Sequence, residues 1–175
     1  MKRVMETISN HALRHRSTGF GFALSDQIAF LDPERWDRVT GDAPLFLGRD
    51  YLGALEASRP ENLSPRYALI SRGAKPVAAV VAQVVNGEGR RWMKEGTGGP
   101  AKKVAARLKV RLLVCGNLLS WGCHGAAFAP GALWPAVAEA LYRIQCADRL
   151  LGKIDLVLVK DLADPEAASA EALRP

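Results

Sequence analysis

The sequence predicts an α/β (α+β) fold in which helices flank a mixed β-sheet. Of its 175 residues, 49% are apolar and 24% are charged, which is the composition of an ordinary globular domain. Residues 77–85 are almost continuously apolar, as expected of a strand that is buried on both faces. Residues 134–151 repeat apolar side chains at helical spacing between two short apolar segments, so they predict a β–helix–β crossover with parallel strands.

The amino-terminal part of the chain predicts short elements. Residues 1–25 are interpreted as an N-terminal extension that contains one short helix at residues 4–13. Residues 28–31 are a short apolar run and predict a strand. Asp32 and Pro33 then supply a helix cap and a first-turn proline, so a helix is expected over residues 34–39.

The middle of the chain predicts a helix followed by a β-hairpin. Residues 48–58 carry apolar side chains at helical spacing and precede a proline. Residues 62–65 are expected to be a loop, and residues 67–71 a strand. A turn signal at residues 73–76 leads into the strand at 77–85, so these two strands should pair as a hairpin.

The carboxyl-terminal part predicts the crossover itself. Residues 110–115 form a strand that ends at a glycine, and residues 118–131 form a structured loop rich in glycine and alanine. The helix at 134–151 and a last strand at 154–159 complete a domain that we expect to span residues 26–162. An acidic tail follows at residues 163–175.

The net charge of +6 is concentrated in one segment, a basic linker at residues 86–109. Between Glu88 and Arg111 there are eight basic and two acidic side chains, so this stretch alone carries +6. Such a segment can hold phosphates of a nucleic acid or of a cofactor, or it can be a solvated face. Trp92 is its one aromatic residue, and the lack of stacking platforms argues against nucleic-acid binding.

Several short phrases, together with the element order, resemble one family. The chain is similar to the GNAT-like acyl-CoA N-acyltransferase superfamily, and within it to the bacterial-type FemAB-like branch of peptidoglycan biosynthesis and recognition proteins. The resemblance covers roughly residues 28–161. The phrases that carry it are Pro44-Leu45-Phe46-Leu47, Tyr51-Leu52, Leu55-Glu56, Tyr67-Ala68-Leu69-Ile70 and Pro76-Val77-Ala78-Ala79.

This resemblance implies an N-acyltransferase, complete or degenerate, that moves an acyl group from an acyl-CoA such as acetyl-CoA to a small-molecule or peptide amine. In the family, a splayed central strand exposes backbone groups to the pantetheine arm, and the following loop and helix N-terminus hold the pyrophosphate. Here these would be residues 110–116 and 134–151. The implied cofactor-binding residues are Val114, Cys115, Gly116, Gly122, His124, Gly125 and Ala127.

The sequence departs from the family pattern in two respects. Gly122 stands where the loop signature has Arg or Gln, and Pro130-Gly131 separate the loop from the helix. The family domain also continues for another helix and two strands, so we expect a core that lacks its C-terminal part. A partner domain or a homo-oligomer would then cover the open sheet edge.

Two other functional classes stay open. The chain could be a non-catalytic binding or structural domain related to cell-wall precursor recognition, or half of a larger two-domain transferase. The third alternative is a binder of anionic polymers through the basic linker.

Other chemistry has weaker support in the sequence. Cys115, Cys123, His124 and Cys146 match no standard zinc spacing, and no metal is predicted. Asp32, Glu56 and Asp155 are candidates for a general base, but none lies in a motif, so no catalytic residue is assigned.

The cysteines and the amino terminus bear on the compartment. An odd number of unpaired cysteines, with neither an apolar signal segment nor a membrane span, predicts a cytoplasmic protein.

Overall fold

A computed structural model of the chain describes residues 19–41, 43, 45–88, 109–119, 122, 125–129 and 134–160. Within them, six strands form one mixed sheet in the order β1-β2-β3-β4-β6, and β5 also pairs with β3. The strands are β1 (Phe20–Ser25), β2 (Leu63–Arg72), β3 (Lys75–Glu88), β4 (Lys109–Cys115), β5 (Ala126–Phe128) and β6 (Leu156–Val159). The helices are α1 (Pro33–Thr40), α2 (Arg49–Ser58) and α3 (Trp134–Ala147). The predicted mixed sheet with flanking helices is confirmed.

The predicted hairpin forms the centre of the sheet. β2 pairs antiparallel along its whole length with residues 75–85 of β3, and Gly73 adopts the positive φ of 58° that their tight turn requires. Both strands are longer than predicted. β2 begins at Leu63, inside the expected loop at residues 62–65, because residues 63–66 pair with residues 82–85 of β3.

The amino-terminal edge of the sheet differs from the prediction. Residues 20–25, which we placed in an N-terminal extension, form β1 and pair antiparallel with β2. Residues 28–31 are not a strand, since Ile28–Phe30 is a single 3₁₀ turn. β1 already occupies this edge of β2, and the Ile28 N–H donates instead to the Glu56 carboxylate of α2 at 2.8 Å.

Helices α1 and α2 begin where the sequence predicted. Asp32 caps α1 by accepting the Arg35 N–H at 3.0 Å, and Pro33 occupies the first turn. Gly48 precedes α2, and Arg59 ends it in the left-handed conformation. These helices pack on one face of the sheet, where Trp36 meets Tyr67 edge to face at 6.1 Å between ring centroids.

Helix α3 covers the other face and connects two parallel strands. β4 pairs in parallel with β6, so the predicted β–helix–β crossover is confirmed. The helix ends at Ala147, where a 3₁₀ turn (Asp148–Leu150) follows. The buried Asp148 carboxylate binds the guanidinium groups of Arg66 at 2.9 Å and Arg111 at 3.4 Å, which joins this turn to β2 and β4.

Several predicted segments lie outside the described residues. These are the helix at residues 4–13, most of the basic linker, and the acidic tail at residues 163–175.

Candidate functional site at the carboxyl end of β4

Strands β4 and β5 lie end to end along the same edge of β3. β4 pairs with residues 82–88 of β3, and β5 pairs with residues 78–80. Val81 marks the junction, since its C=O accepts the Gly116 N–H at 3.0 Å and its N–H donates to the Gly125 C=O at 2.8 Å. The chain therefore leaves the sheet at Gly116 and returns at Gly125. The intervening residues 117–124 are called the β4–β5 loop below.

The two ends of the β4–β5 loop are in direct contact. A β-carbon on Gly125 would lie 2.9 Å from the Cys115 sulfur and 3.0 Å from the Gly116 nitrogen, so only glycine fits there without displacing its neighbours. Cys115 is fully buried, and this burial raises the pKa of its thiol to about 12. At neutral pH the thiol is protonated, and Cys115 packs as a small apolar side chain.

A buried polar network holds the start of the loop. Gln83 is fully buried on the α1/α2 face of β3, and its amide nitrogen donates to the Asn117 side-chain oxygen at 3.3 Å. The Leu118 N–H donates to the Gln83 oxygen at 2.9 Å, and the Leu119 N–H donates to the Asn117 oxygen at 2.9 Å. These bonds provide partners for polar groups that would otherwise be costly to bury.

The network ends on a tyrosine of α2. The Asn117 side-chain nitrogen donates to the Tyr51 hydroxyl oxygen at 2.8 Å. Because both side-chain amides have their orientation fixed by these bonds, the Tyr51 oxygen is an acceptor, and its own proton remains to be donated. Tyr51 is half-buried beside a loop whose leucines, Leu118 and Leu119, are exposed. The site can therefore offer a hydroxyl donor to an acceptor atom of a ligand, next to apolar side chains.

The structure brings some of the predicted cofactor-binding residues together. Cys115, Gly116 and Gly125 meet at the ends of the β4–β5 loop. Gly122 lies exposed within the loop at φ 100°, and His124 lies outside the described residues. Ala127 is turned away from this point, since it pairs with Ala79 and packs in the core beneath α1 and α2.

Val114 and Cys115 do not have the open strand edge that the family resemblance implied. β4 pairs with β3 on one side and with β6 on the other up to Cys115, and the Lys160 N–H donates to the Cys115 C=O at 3.0 Å. Among the described residues the two central strands thus stay paired up to Cys115. The first backbone beyond that pairing is at Gly116, where the Lys160 side chain lies against the glycine.

The three candidate bases lie in different surroundings. Asp32 is the α1 cap, and Asp155 accepts the Arg111 backbone N–H at 2.9 Å, so both carboxylates have structural partners. Glu56 is half-buried and lines a groove of about 710 Å³ between α2 and the start of β2. Asp155 lines a second groove, of about 510 Å³, so Glu56 and Asp155 each face a cavity large enough for a small ligand, whereas Asp32 lines neither groove.

Tyr67 lies beneath this groove, fully buried. Its hydroxyl makes no hydrogen bond of acceptable geometry to any described residue. Burial first, and then the neighbouring Glu56 carboxylate, raise the pKa of Tyr67 well above its ordinary value. Tyr67 is therefore a neutral phenol at any physiological pH.

The side chains that organise the loop were not predicted from the sequence as site residues: Tyr51, Gln83 and Asn117. A signal was present, because Gln83 interrupts the long apolar run of β3, and a buried amide needs partners. Asn117 follows the glycine that ends β4. Sequence alone could not show that these two residues meet, since 34 positions separate them.

The basic linker is described only at its ends. Lys109 lies in the second groove as well, at the opposite end of β4. Arg111 does not serve as a free cation, because its guanidinium binds Asp148 and the Gly152 carbonyl. The phosphate-binding role that we considered for the linker is therefore not centred on Arg111.

Two features are absent from the described residues, a cluster of metal ligands and a membrane-spanning helix. Within these residues, no three His, Cys, Asp or Glu side chains cluster so as to hold a metal ion. Within the same residues, no helix combines the length and the apolar character needed to cross a bilayer. Comparison of the chain with protein-family models, with curated proteins and with solved structures finds no match in any of the three.

Proposed function

We propose that the chain is an N-acyltransferase-like protein with a GNAT-like core of the FemAB-like branch, which takes an acyl group from an acyl-CoA and transfers it to an amine. The observation that carries this proposal is the strand arrangement. Antiparallel β1 to β4 lead into a parallel β4–α3–β6 unit, and β4 ends in a loop with an organised polar network. Ligands of such sheets commonly bind beyond the carboxyl ends of the parallel strands.

The chemistry needs little from the protein beyond positioning. The amine nitrogen attacks the thioester carbonyl, the new C–N bond forms, and the C–S bond breaks. The amine proton leaves with the thiol of CoA, so no oxidant or metal is required. A hydroxyl donor at the carbonyl oxygen stabilises the negative charge that develops there, and Tyr51 is the side chain placed to donate.

The proposed position of the acyl donor follows from the pairing of β4. Because Val114 and Cys115 are hydrogen-bonded within the sheet, the thioester would lie beyond them, beside Gly116 and the β4–β5 loop. The exposed Leu118 and Leu119 would contact the apolar part of the pantetheine arm.

The test is titration of the full chain with acetyl-CoA by calorimetry, with circular dichroism to confirm that the protein is folded. We expect binding in the range of roughly 1 μM to 1 mM that is typical of enzyme substrates. AMP alone should bind more weakly, which shows that the thioester arm contributes. Absence of heat from a folded sample with acetyl-CoA at high concentration would refute the proposal.

A second function has an observation in its favour. The complete pairing of Val114 and Cys115 favours a non-catalytic binding domain, because the backbone groups that the family uses for pantetheine are occupied. Titration with a muropeptide in place of acetyl-CoA separates the two. Heat from the muropeptide alone would support the non-catalytic domain.

A further inference from the structure

Among the described residues, strand β6 is an unprotected sheet edge. It is the last strand in the sheet order, it pairs with β4, and no other described strand pairs with it. Its three leading residues, Leu156, Val157 and Leu158, are 56%, 37% and 46% exposed. Natural proteins usually protect such edges with lysine, proline or a bulge, and residues 156–159 contain none of these.

The direction of the backbone groups defines what this edge can bind. The Lys160 N–H points toward β4, since it donates to the Cys115 carbonyl. Backbone groups alternate along a strand, so the N–H and C=O groups of Val157 and Val159 point away from β4. Their partner must be an extended strand, because only a strand supplies donors and acceptors at this spacing. It must also bring apolar side chains to both faces.

The sequence of β6 meets these requirements itself when it runs antiparallel to a second copy. With Val157 opposite Val157 of the second copy, Leu156 faces Leu158 of that copy on the same side of the sheet. Asp155 and Lys160 bracket the strand, so an antiparallel arrangement brings the acidic end of one copy beside the basic end of the other. A parallel arrangement would place like charges together.

Other antiparallel registers are worse. A two-fold axis perpendicular to the sheet keeps each side chain on its face, and residues opposite each other must share a face. The allowed registers therefore differ by steps of two residues. One alternative sets Leu156 opposite Lys160 of the second copy, and the other sets Val157 opposite Asp155. Each of these sets a charge opposite one of the exposed residues 156–158, whereas in the register centred on Val157 these three residues face only one another, and Asp155 lies opposite the less exposed Val159.

We propose that the protein forms a two-fold dimer in which the two β6 strands pair antiparallel, centred on Val157, so that one sheet continues through both copies.

Analytical ultracentrifugation of the full chain over a concentration series tests the dimer. We expect the wild type to dimerise, and Val157→Lys to sediment as a monomer with an unchanged circular dichroism spectrum. The matched control is Leu150→Lys, which alters a leucine that is 97% exposed outside the strand and should leave the dimer intact. A wild type that stays monomeric, or a dimer that survives Val157→Lys, would overturn the proposal.

Cysteine cross-linking tests the register and does not depend on the lysine variant. In the proposed pair the two Val157 Cα atoms are about 5.5 Å apart, which is within the span of a disulfide. Val157→Cys should therefore form a covalent dimer under mild oxidation. Leu156→Cys should not, because each copy faces Leu158 of the other, and the wild type measures the background from the native cysteines. Cross-linking of Leu156→Cys but not of Val157→Cys would show that the register is wrong.

Discussion

Gly125 packs against Cys115 so closely that the two residues fix the base of the β4–β5 loop. A β-carbon at Gly125 would lie 2.9 Å from the cysteine sulfur and 3.1 Å from the cysteine carbonyl carbon. The same glycine accepts the Val81 N–H, so it cannot move outward without breaking a bond of the sheet. The loop that we propose as the acyl-CoA site is therefore anchored at its two ends by backbone contacts.

Gly125→Ala should destabilise the protein. The added methyl group overlaps backbone atoms as well as a buried sulfur, and such overpacking typically costs about 1–3 kcal/mol in the free energy of unfolding. Urea denaturation measures this cost. Gly53→Ala is the control, since this α2 glycine has no atom within 4 Å of the added carbon and alanine favours helix, so stability should be equal or higher. Equal effects of the two variants would contradict the packing argument.

The burial of Cys115 predicts a loss of stability at alkaline pH. Its pKa rises from 9.0 to about 12 in the folded chain, so the unfolded chain loses this proton first. The stabilisation is therefore fully present below pH 9.0 and declines as pH rises toward about 12. Urea midpoints between pH 8 and 11 should fall for the wild type and fall less steeply for Cys115→Ala.

Thiol labelling gives a second readout of the same burial. In the native protein at pH 8, Cys115 should resist a thiol-specific reagent, whereas the less buried Cys146 should react faster. Mass spectrometry of digested samples distinguishes the two sites. Labelling of Cys115 at the rate seen in urea would show that it is accessible.

Elements defined by local patterns were predictable from the sequence, while the sheet edge was not. Asp32 and Pro33 define the start of α1 through a cap and a fixed backbone angle, which are local effects. Phe20–Ser25 is a short segment with no fully buried residue, so its strand depends on pairing with β2, more than 40 residues away. A short apolar run such as residues 28–31 cannot compete for that edge once β1 occupies it.

The glycines at the candidate site could be predicted from the sequence, but the side chains of its polar network could not. The glycines that end β4 and begin β5 were identified because glycine is the residue that permits close approach and positive φ, as Gly116 shows at 126°. The helical spacing of apolar residues predicted that Tyr51 lies on the apolar face of α2, and its ring does pack on the apolar core. Its hydrogen bond to Asn117 depends on how α2 lies across β3, which no local pattern encodes.

Asp148→Asn should be strongly destabilising. Asp148 is 3% exposed and its carboxylate is the shared acidic partner of Arg66 and Arg111, so the neutral variant leaves two half-buried cations without their counter-ion. Removing one partner of a buried ion pair typically costs about 3–5 kcal/mol. Glu139→Gln is the comparison, because its i,i+4 partner Arg143 is 47% exposed, so the cation that loses its carboxylate stays in contact with water and the cost should be smaller. Denaturant midpoints of similar value for both variants would show that Asp148 does not hold β2, β4 and α3 together.

Tyr51→Phe should weaken acetyl-CoA binding and also lower stability, because it takes this acceptor from the buried Asn117 side-chain N–H. The change removes the hydroxyl that accepts from Asn117 and that we propose donates to the thioester carbonyl. Loss of one such bond corresponds to a reduction in affinity of roughly tenfold.

Tyr67→Phe is the matched control, since it removes a buried hydroxyl that has no hydrogen-bond partner among the described residues and should leave binding unchanged. If the wild type binds and Tyr51→Phe binds equally well, the acyl donor does not contact this hydroxyl, and the polar network serves only to hold the β4–β5 loop. If Tyr67→Phe is the variant that loses affinity, the donor lies in the groove beside Glu56 instead.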